Sequence, residues 1–290
     1  VNDEPGSATP QSDAAAAAEA SRTGEPDRYL AALLAPPPER DALLALAGFA
    51  AELARIPWLA VREPLMGGIR LQWWRDALAL PEGERAGHGV ADALRWAAHR
   101  YDLDVPLLEM PIDARALELG GSPFADAGEL GNFLRGTEGA LFALAARVLG
   151  QPADGGLEAA CSAAGEAYGM ARLLFALPHA LAQGRLPLAQ ADLASAGVSA
   201  HELLAGTAGA AVWRLLDGYR LQIRNNLVRA RRLAGWLPRR GRIAFLPLAL
   251  VTPYVRAQER AGRHSLREEP SIAPLTRVCR ISAAHVLGRL

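Results

Sequence analysis

From Asp27 to the C-terminus the apolar residues recur at helical spacing, with no strand-like alternation long enough to build a sheet and no linker dividing them. That continuity restricts the chain to one helical domain. Apolar residues make up 51% of the chain and aromatics only 6%, with alanine and leucine dominant and β-branched residues sparse. Alanine and leucine are strong helix formers, whereas β-branched residues favour strands. At 290 residues such a chain can bury a substantial core. The first 26 residues differ: VNDEPGSATPQSDAAAAAEASRTGEP is polar, alanine-rich and nearly free of large apolar groups. Such a segment buries too little to offset chain entropy, so residues 1–26 are expected to be a disordered tail ahead of a helical domain over 27–290.

Within that domain Asp27 is placed to cap a short helix through Leu34, ended by Pro36, Pro37 and Pro38. A second, densely apolar helix opens at Pro38 and runs to Ile56, where Pro57 is expected to stop it by removing a donor and clashing with the preceding turn. Glu63-Pro64 starts a third helix through Leu80. Further helices are expected over 88–101, 126–149, 156–182, 199–236 with a break near Gly206, 241–261 and the C-terminus. Pro106, Pro111, Pro123, Pro152, Pro187 and Pro238 are read as lying in or beside connections.

Net charge is zero, with 31 acids against 31 basic residues, all of them arginine. Residues 1–150 carry 22 acids and 13 arginines; residues 151–290 carry 9 and 18. Either the basic half meets an anionic partner, or the two halves balance each other. Cys161 and Cys279 are too few for a disulfide framework and lack metal-ligand spacing, as do the six histidines, so a reducing compartment is expected. No secretory or transit signal is read at the N-terminus, and no apolar run approaches the ~20 residues of a spanning helix. The expectation is a cytoplasmic chain, with peripheral attachment at the inner membrane as the variant.

Four stretches carry a family resemblance: DRYLAALLAPPPERDALLALAGFAAELARI (27–56), REPLMGGIRLQWWRDAL (62–78), GEAYGMARLLFALPHALAQGRLPLAQADLASAGV (165–198) and ARRLAGWLPRRGRIAFLPLAL (230–250). In this order they resemble the squalene/phytoene synthase family. The resemblance implies an all-α fold, an isoprenoid (terpenoid) synthase-like helical bundle around a central cavity. Active members join two prenyl diphosphates head to head. Two aspartate-rich motifs on facing helices hold Mg²⁺ there, which neutralises the charge developing on the diphosphate leaving group.

Aligned on Phe49, the first motif falls on Ala54, Arg55 and Trp58; the second falls on Arg172, Phe175, Ala176 and Ala180. None is a carboxylate. The resemblance therefore implies a non-catalytic branch, similar to mitochondrial factors that assemble respiratory complex I, and the phrases AELARI and REPLMGGIRLQWWRDAL resemble that branch. It implies no cofactor, and a protein partner such as a complex I subunit or a prenyl or lipid ligand. The alternative is an active Mg²⁺-dependent prenyltransferase with an altered site.

Glu52, Glu138 and Glu166 are the acids that would rebuild such a site, against the simpler expectation of buried ion pairs with Arg55, Arg70 or Arg172. Glu52, Arg70, Trp73, Trp74, Arg75, Tyr168 and Arg185 are candidate cavity or partner contacts, core packing being the competing reading for the tryptophan pair. Nine arginines and no acid lie between Asp217 and Glu259. Arg229, Arg231, Arg232, Arg239, Arg240 and Arg242 are candidate contacts to an anionic membrane surface, beside the apolar run IAFLPLALVTPYV (243–255). A solvated face beside a core helix is the competing reading. No nucleic-acid motif accompanies these arginines. GTEG (136–139) is read as a helix feature only.

Overall fold

The computed structural model describes residues 10–59, 63–119, 124–207, 209–264 and 266–290. Every regular element among them is helical. In order they are α1 (Pro10–Gly24), α2 (Pro26–Ala32), α3 (Pro37–Leu59), α4 (Pro64–Ala79), α5 (Gly89–Arg100), α6 (Val105–Ala116) and α7 (Ala127–Leu134). A π turn over Arg135–Gly139 leads into α8 (Ala140–Val148), followed by α9 (Gly155–Phe175), α10 (Leu177–Ala182), α11 (Gln190–Ala196) and α12 (Ala200–Leu204). Then come α13 (Ala210–Ala234), a 3₁₀ run over Gly241–Leu250, α14 (Val251–Ala261), a short 3₁₀ turn and α15 (Pro274–Leu287).

Two long apolar helices organise the bundle. Helix α3 is flanked by α1, α2, α4, α5, α6 and α8; α9 is flanked by α8, α13, α14 and the π turn. Among the described residues α3 alone is long and apolar enough to cross a bilayer by length and composition, and 72% of its apolar window is buried in the bundle. Phe49 and Leu53 of α3, Phe142 of α8, Tyr168 of α9 and Phe245 are among the largest side chains wholly enclosed in the core.

The expected disordered tail is corrected over residues 10–24, and residues 1–9 lie outside the described residues. Helix α1 packs on α3 and α5 through small side chains. Gly48 faces Ala17, Gly89 faces Ala16 and Gly24 faces Ala51, so closely that a Cβ on any of these glycines would meet its neighbour at 3.0 Å or less. Close backbone approach over alanine and glycine gives dispersion contact that a count of large apolar residues overlooks. Buried Asp13 adds a 2.8 Å ion pair to Arg85.

Three proline readings also change. Helix α3 continues past Pro57 to Leu59, because the lost hydrogen bond falls in its last turn. Pro106 sits in the first turn of α6, where a missing N–H costs nothing, and Pro111 is tolerated inside it. The segment read as a connection is therefore a helix. Asp27 does not cap α2; Glu25 occupies that position and Asp27 lies inside the first turn. The helix expected over 156–182 divides at Ala176 into α9 and α10, the one expected over 241–261 begins as the 3₁₀ run, and α11 lies in a stretch where no helix is expected.

Gly165 on α9 lets the π turn lie against it: a Cβ there would come within 2.5 Å of Gly139 N and 2.6 Å of its Cα. Because the obstacle is backbone, Gly165→Ala is expected to destabilise the fold by about 1–3 kcal/mol, read as a lower urea midpoint with an unchanged m-value.

Candidate functional site

The C-terminal end of α9 meets the N-terminal end of α2, and the charges suit the helix dipoles. Glu25 and Asp27 stand at the start of α2, whereas Arg172 lies in the last turn of α9. The meeting is reinforced by the π turn, which widens the helix and turns Glu138 inward. Gly169 makes room for it, since a Cβ there would lie 3.0 Å from Glu138 Cγ.

These residues close a ring of alternating charge. Arg172 Nη2 lies 2.7 Å from Glu25 Oε1, and Arg172 Nη1 lies 2.9 Å from Glu25 Oε2 and 3.3 Å from Glu138 Oε1. On the other side Arg28 Nη2 donates to Glu138 Oε2 at 2.6 Å, and Arg28 Nε lies 3.4 Å from Glu25 Oε2. The Arg28 guanidinium also stacks over Phe142 and Tyr168. Alongside, buried Asp27 accepts from Tyr168 Oη at 2.9 Å, from Tyr254 Oη at 2.5 Å and from Arg277 of α15.

Burial and charge pull the two glutamates apart. For Glu25 burial is the largest influence and raises the carboxyl above its ordinary range, against the opposing pull of Arg172 and Arg28. Burial also acts to raise Glu138, but the guanidiniums of Arg172, Arg28 and Arg115 outweigh it and hold that carboxyl low. Tyr168 is pushed well up by burial and then by the Asp27 charge.

Beside the ring lies a cavity of about 170 Å³, walled by α3, α6, α7, the π turn, α9 and α10. Ala54, Trp58, Arg172, Ala176, Ala180 and Arg185 all line it, together with Arg115, Glu118 and Glu138. Ala54 and Trp58, four residues apart, share the inward face of α3. Trp58 closes one side: its indole packs edge-on against His179 at 4.9 Å, and the Arg185 guanidinium stacks 4.6 Å from its ring. Arg115 and Arg185 both reach Glu118, at 2.6 and 3.4 Å.

Several expected contacts lie elsewhere. Arg55, one position on from Ala54, turns outward; its side chain is 64% exposed and pairs with Glu52 at 3.3 Å. Phe175 packs on Tyr254, away from the cavity. Trp74 is core against Phe49, Trp73 is partly exposed beside His88, Arg70 is exposed and Arg75 pairs with Asp113 at 2.6 Å. Glu166 pairs with Arg135 rather than facing the cavity. Tyr168 belongs to the buried polar cluster, not to the cavity wall. Of the six arginines expected on an anionic surface, Arg240 is bound to Glu39 and Arg242 donates to Gly288 O at 3.0 Å. Arg231 is half-buried, and Arg229, Arg232 and Arg239 are exposed.

The residues missed from sequence are Glu25, Asp27, Arg28 and Arg277, which lie far from Arg172 in the chain. Their available signal was density: four titratable groups within Glu25–Tyr29 at the head of an otherwise apolar domain. Among the described residues no group of three or more His, Cys, Asp or Glu stands together as a metal site. The acids at the cavity, Glu118 and Glu138, are each held by two guanidiniums. Carboxylates so engaged are poor ligands for a cation, so this donor set does not fit a Mg²⁺ cluster.

The family model of squalene/phytoene synthase matches residues 21–278. No curated protein matches the chain by sequence. Among solved structures, a dehydrosqualene synthase in complex with ligand superposes with TM-score 0.77 at 17% identity, covering 96% of this chain and 97% of that one. Squalene synthase HpnC from Alicyclobacillus acidocaldarius gives 0.72 at 18% identity, over 87% and 95%. YisP from Bacillus subtilis subsp. subtilis strain 168 gives 0.69 at 16%, over 94% and 98%. These likenesses show the all-α isoprenoid synthase-like fold.

Arg172→Met would leave two buried glutamates sharing one arginine, and a loss of about 3–5 kcal/mol at neutral pH is expected from urea unfolding. A carboxyl held below its unfolded-chain value, as Glu138 is, adds stability above that value and loses it as pH falls through the folded one. The stability gap between the wild type and Glu138→Gln is therefore expected to narrow as pH falls below about 4.

Proposed function

The chain belongs to the squalene/phytoene synthase family, and on that footing we propose that it is a non-catalytic member, a scaffold that binds a protein or lipid partner and serves in assembling respiratory complex I. One observation supports the non-catalytic reading. At the position that the resemblance gives to the second aspartate motif stands Arg172, and its guanidinium already binds Glu25 and Glu138. Ionising an allylic diphosphate needs cations on the leaving oxygens, and a fixed guanidinium among paired carboxylates repels a metal rather than holding it. The cavity volume supports the same reading. At about 170 Å³ it is well below the ~300–1,000 Å³ of ordinary small-molecule pockets.

The assembly role rests on AELARI and on REPLMGGIRLQWWRDAL, which resemble the complex I assembly branch. The second phrase carries most of α4, whose Leu65, Met66, Ile69 and Trp73 remain exposed. Spacing of four residues between Leu65, Ile69 and Trp73 makes one apolar stripe, a form suited to a partner helix. The proposed setting is the cytoplasmic side of the inner membrane, with no cofactor.

Two measurements test this. Folded protein given farnesyl or geranylgeranyl diphosphate with Mg²⁺ is expected to release no diphosphate above a blank, beside an active family member. Release that disappears with chelator would instead establish an active prenyltransferase. A strain lacking the protein is expected to show reduced NADH:quinone reductase, and normal levels would sink the assembly role.

A further inference from the structure

The arginine-rich stretch and the apolar run after it do not form one outward-facing unit. Ile243 through Val251 is buried, as are Tyr254 and Val255, so that run belongs to the core. The arginines have another apolar companion, contributed by the end of the chain.

Helix α15 buries Ile281 and Ala284 and sends Arg277 inward to Asp27. Its opposite side is apolar as well: Leu275 is 71% exposed, Val286 68% and Leu287 68%. Beside it ends α13, whose Val228 is 67% exposed, and the following turn carries Trp236 at 87%, the most exposed large apolar side chain described. The 3₁₀ run that follows this turn is tied to the end of α15 by Arg242 Nη1, which donates to Gly288 O at 3.0 Å. Charges also face one another: Arg231 is lowered first by burial and then by Arg280, and His285 first by burial and then by Arg239.

No acid lies between Asp217 and Glu259, and none from Pro270 to Leu290. Arg229, Arg232, Arg239, Arg280 and Arg289 have no carboxylate partner among the described residues. Arg28, Arg172, Arg220 and Arg277 are paired with carboxylates, whereas this group is left without one.

We propose that the C-terminal end of α13, the turn carrying Trp236 and the outward side of α15 form a docking surface for an anionic lipid bilayer. Charge selects this occupant. A second copy meeting the same face about a two-fold axis would set these arginines against themselves, a like-charge contact. A neutral apolar partner would leave them desolvated and unpaired. An anionic bilayer answers both features, since its headgroups pair with the arginines while the interface accepts Trp236, Val286 and Leu287. The proposal shares the lipid partner of the function above but is independent of whether the cavity is catalytic.

Flotation of the full chain with vesicles of equal parts phosphatidylcholine and phosphatidylglycerol is the test, with phosphatidylcholine alone beside it. Binding is expected to the anionic vesicles only, falling as salt rises and weakening about fivefold for each of Arg229, Arg232 and Arg239 changed to alanine. Anionic vesicles are expected to shift the tryptophan emission to the blue in the wild type, and the shift should vanish in Trp236→Ala. Three outcomes would overturn the proposal: no binding, equal binding to neutral vesicles, or binding unchanged in the triple arginine variant. So would a dimer in light scattering that Val286→Arg dissociates. Diphosphate release in the separate turnover assay would leave the proposal intact.

Discussion

Two glutamates and two arginines, closed into a ring at the meeting of α2, the π turn and α9, link parts of the chain that lie far apart in sequence. Glu25 and Arg172 are 147 residues apart, and Arg28 and Glu138 are 110 apart. Each ion in isolation would lose several kcal/mol of hydration on burial. Closed in alternation, the four are neutral as a set. The arrangement is all-or-none: with one member gone, the others are charged, buried and imperfectly paired. Its contribution therefore falls more on the uniqueness of the packing than on net stability. Helix α2 has only seven residues, too short to persist alone. It is held because Glu25, Asp27 and Arg28 each reach a different neighbour.

The same ring determines what the cavity can do. Its two carboxylates are each engaged by two guanidiniums, so a cation entering would have to displace an ion pair before gaining an acidic ligand, whereas Arg185 Nη1 is buried without a hydrogen-bond partner. Trp58 and Arg185 extend this on the opposite wall, where the guanidinium stacks on the indole and reaches back to Glu118. On the non-catalytic reading, building a metal centre there would require more than one new carboxylate. Arg172 would have to leave, and Glu25 and Glu138 would then need new counter-charges. The non-catalytic reading is thus a property of a connected set rather than of a single missing side chain.

Much of this architecture is legible in the sequence. Helical periodicity gives the class and most of the elements, and the family frame brings Ala54, Trp58, Arg172, Ala176 and Ala180 to one cavity. What escapes the sequence has a common cause. Proline is scored as a breaker by type, yet Pro57 and Pro106 sit in terminal turns where a missing donor matters little. Helix α1 looks too polar to fold, because its packing depends on which glycines of α3 and α5 it meets. Arg55 and Arg172 look alike as arginines at the positions that the resemblance gives to the two motifs, but a single step of 100° around α3 puts Arg55 in solvent. Partners such as Glu25 and Arg277 are fixed by topology, which local spacing does not encode.

The uneven distribution of charge between the two halves is partly internal balance, and the proposed bilayer surface would account for the rest. Arg172, Arg240 and Arg277 cross to Glu25 and Glu138, to Glu39 and to Asp27, so part of the basic excess is an internal counterweight to the acidic half. Of the remainder, Arg214, Arg256 and Arg260 are without a carboxylate partner elsewhere among the described residues, while Arg229, Arg232, Arg239, Arg280 and Arg289 belong to the end of α13, the turn after it and the end of the chain. A chain that merely balanced its halves would not leave that group unpaired, since surface arginines readily find carboxylates when any are near. Here Glu39 is taken by Arg240, no other carboxylate reaches the group among the described residues, and both flanking segments lack acids. Self-repulsion among these arginines weakens the compact state slightly, and the apolar residues exposed among them add no packing. A surface that stabilises the fold in neither way is better explained by what it meets than by what it supports.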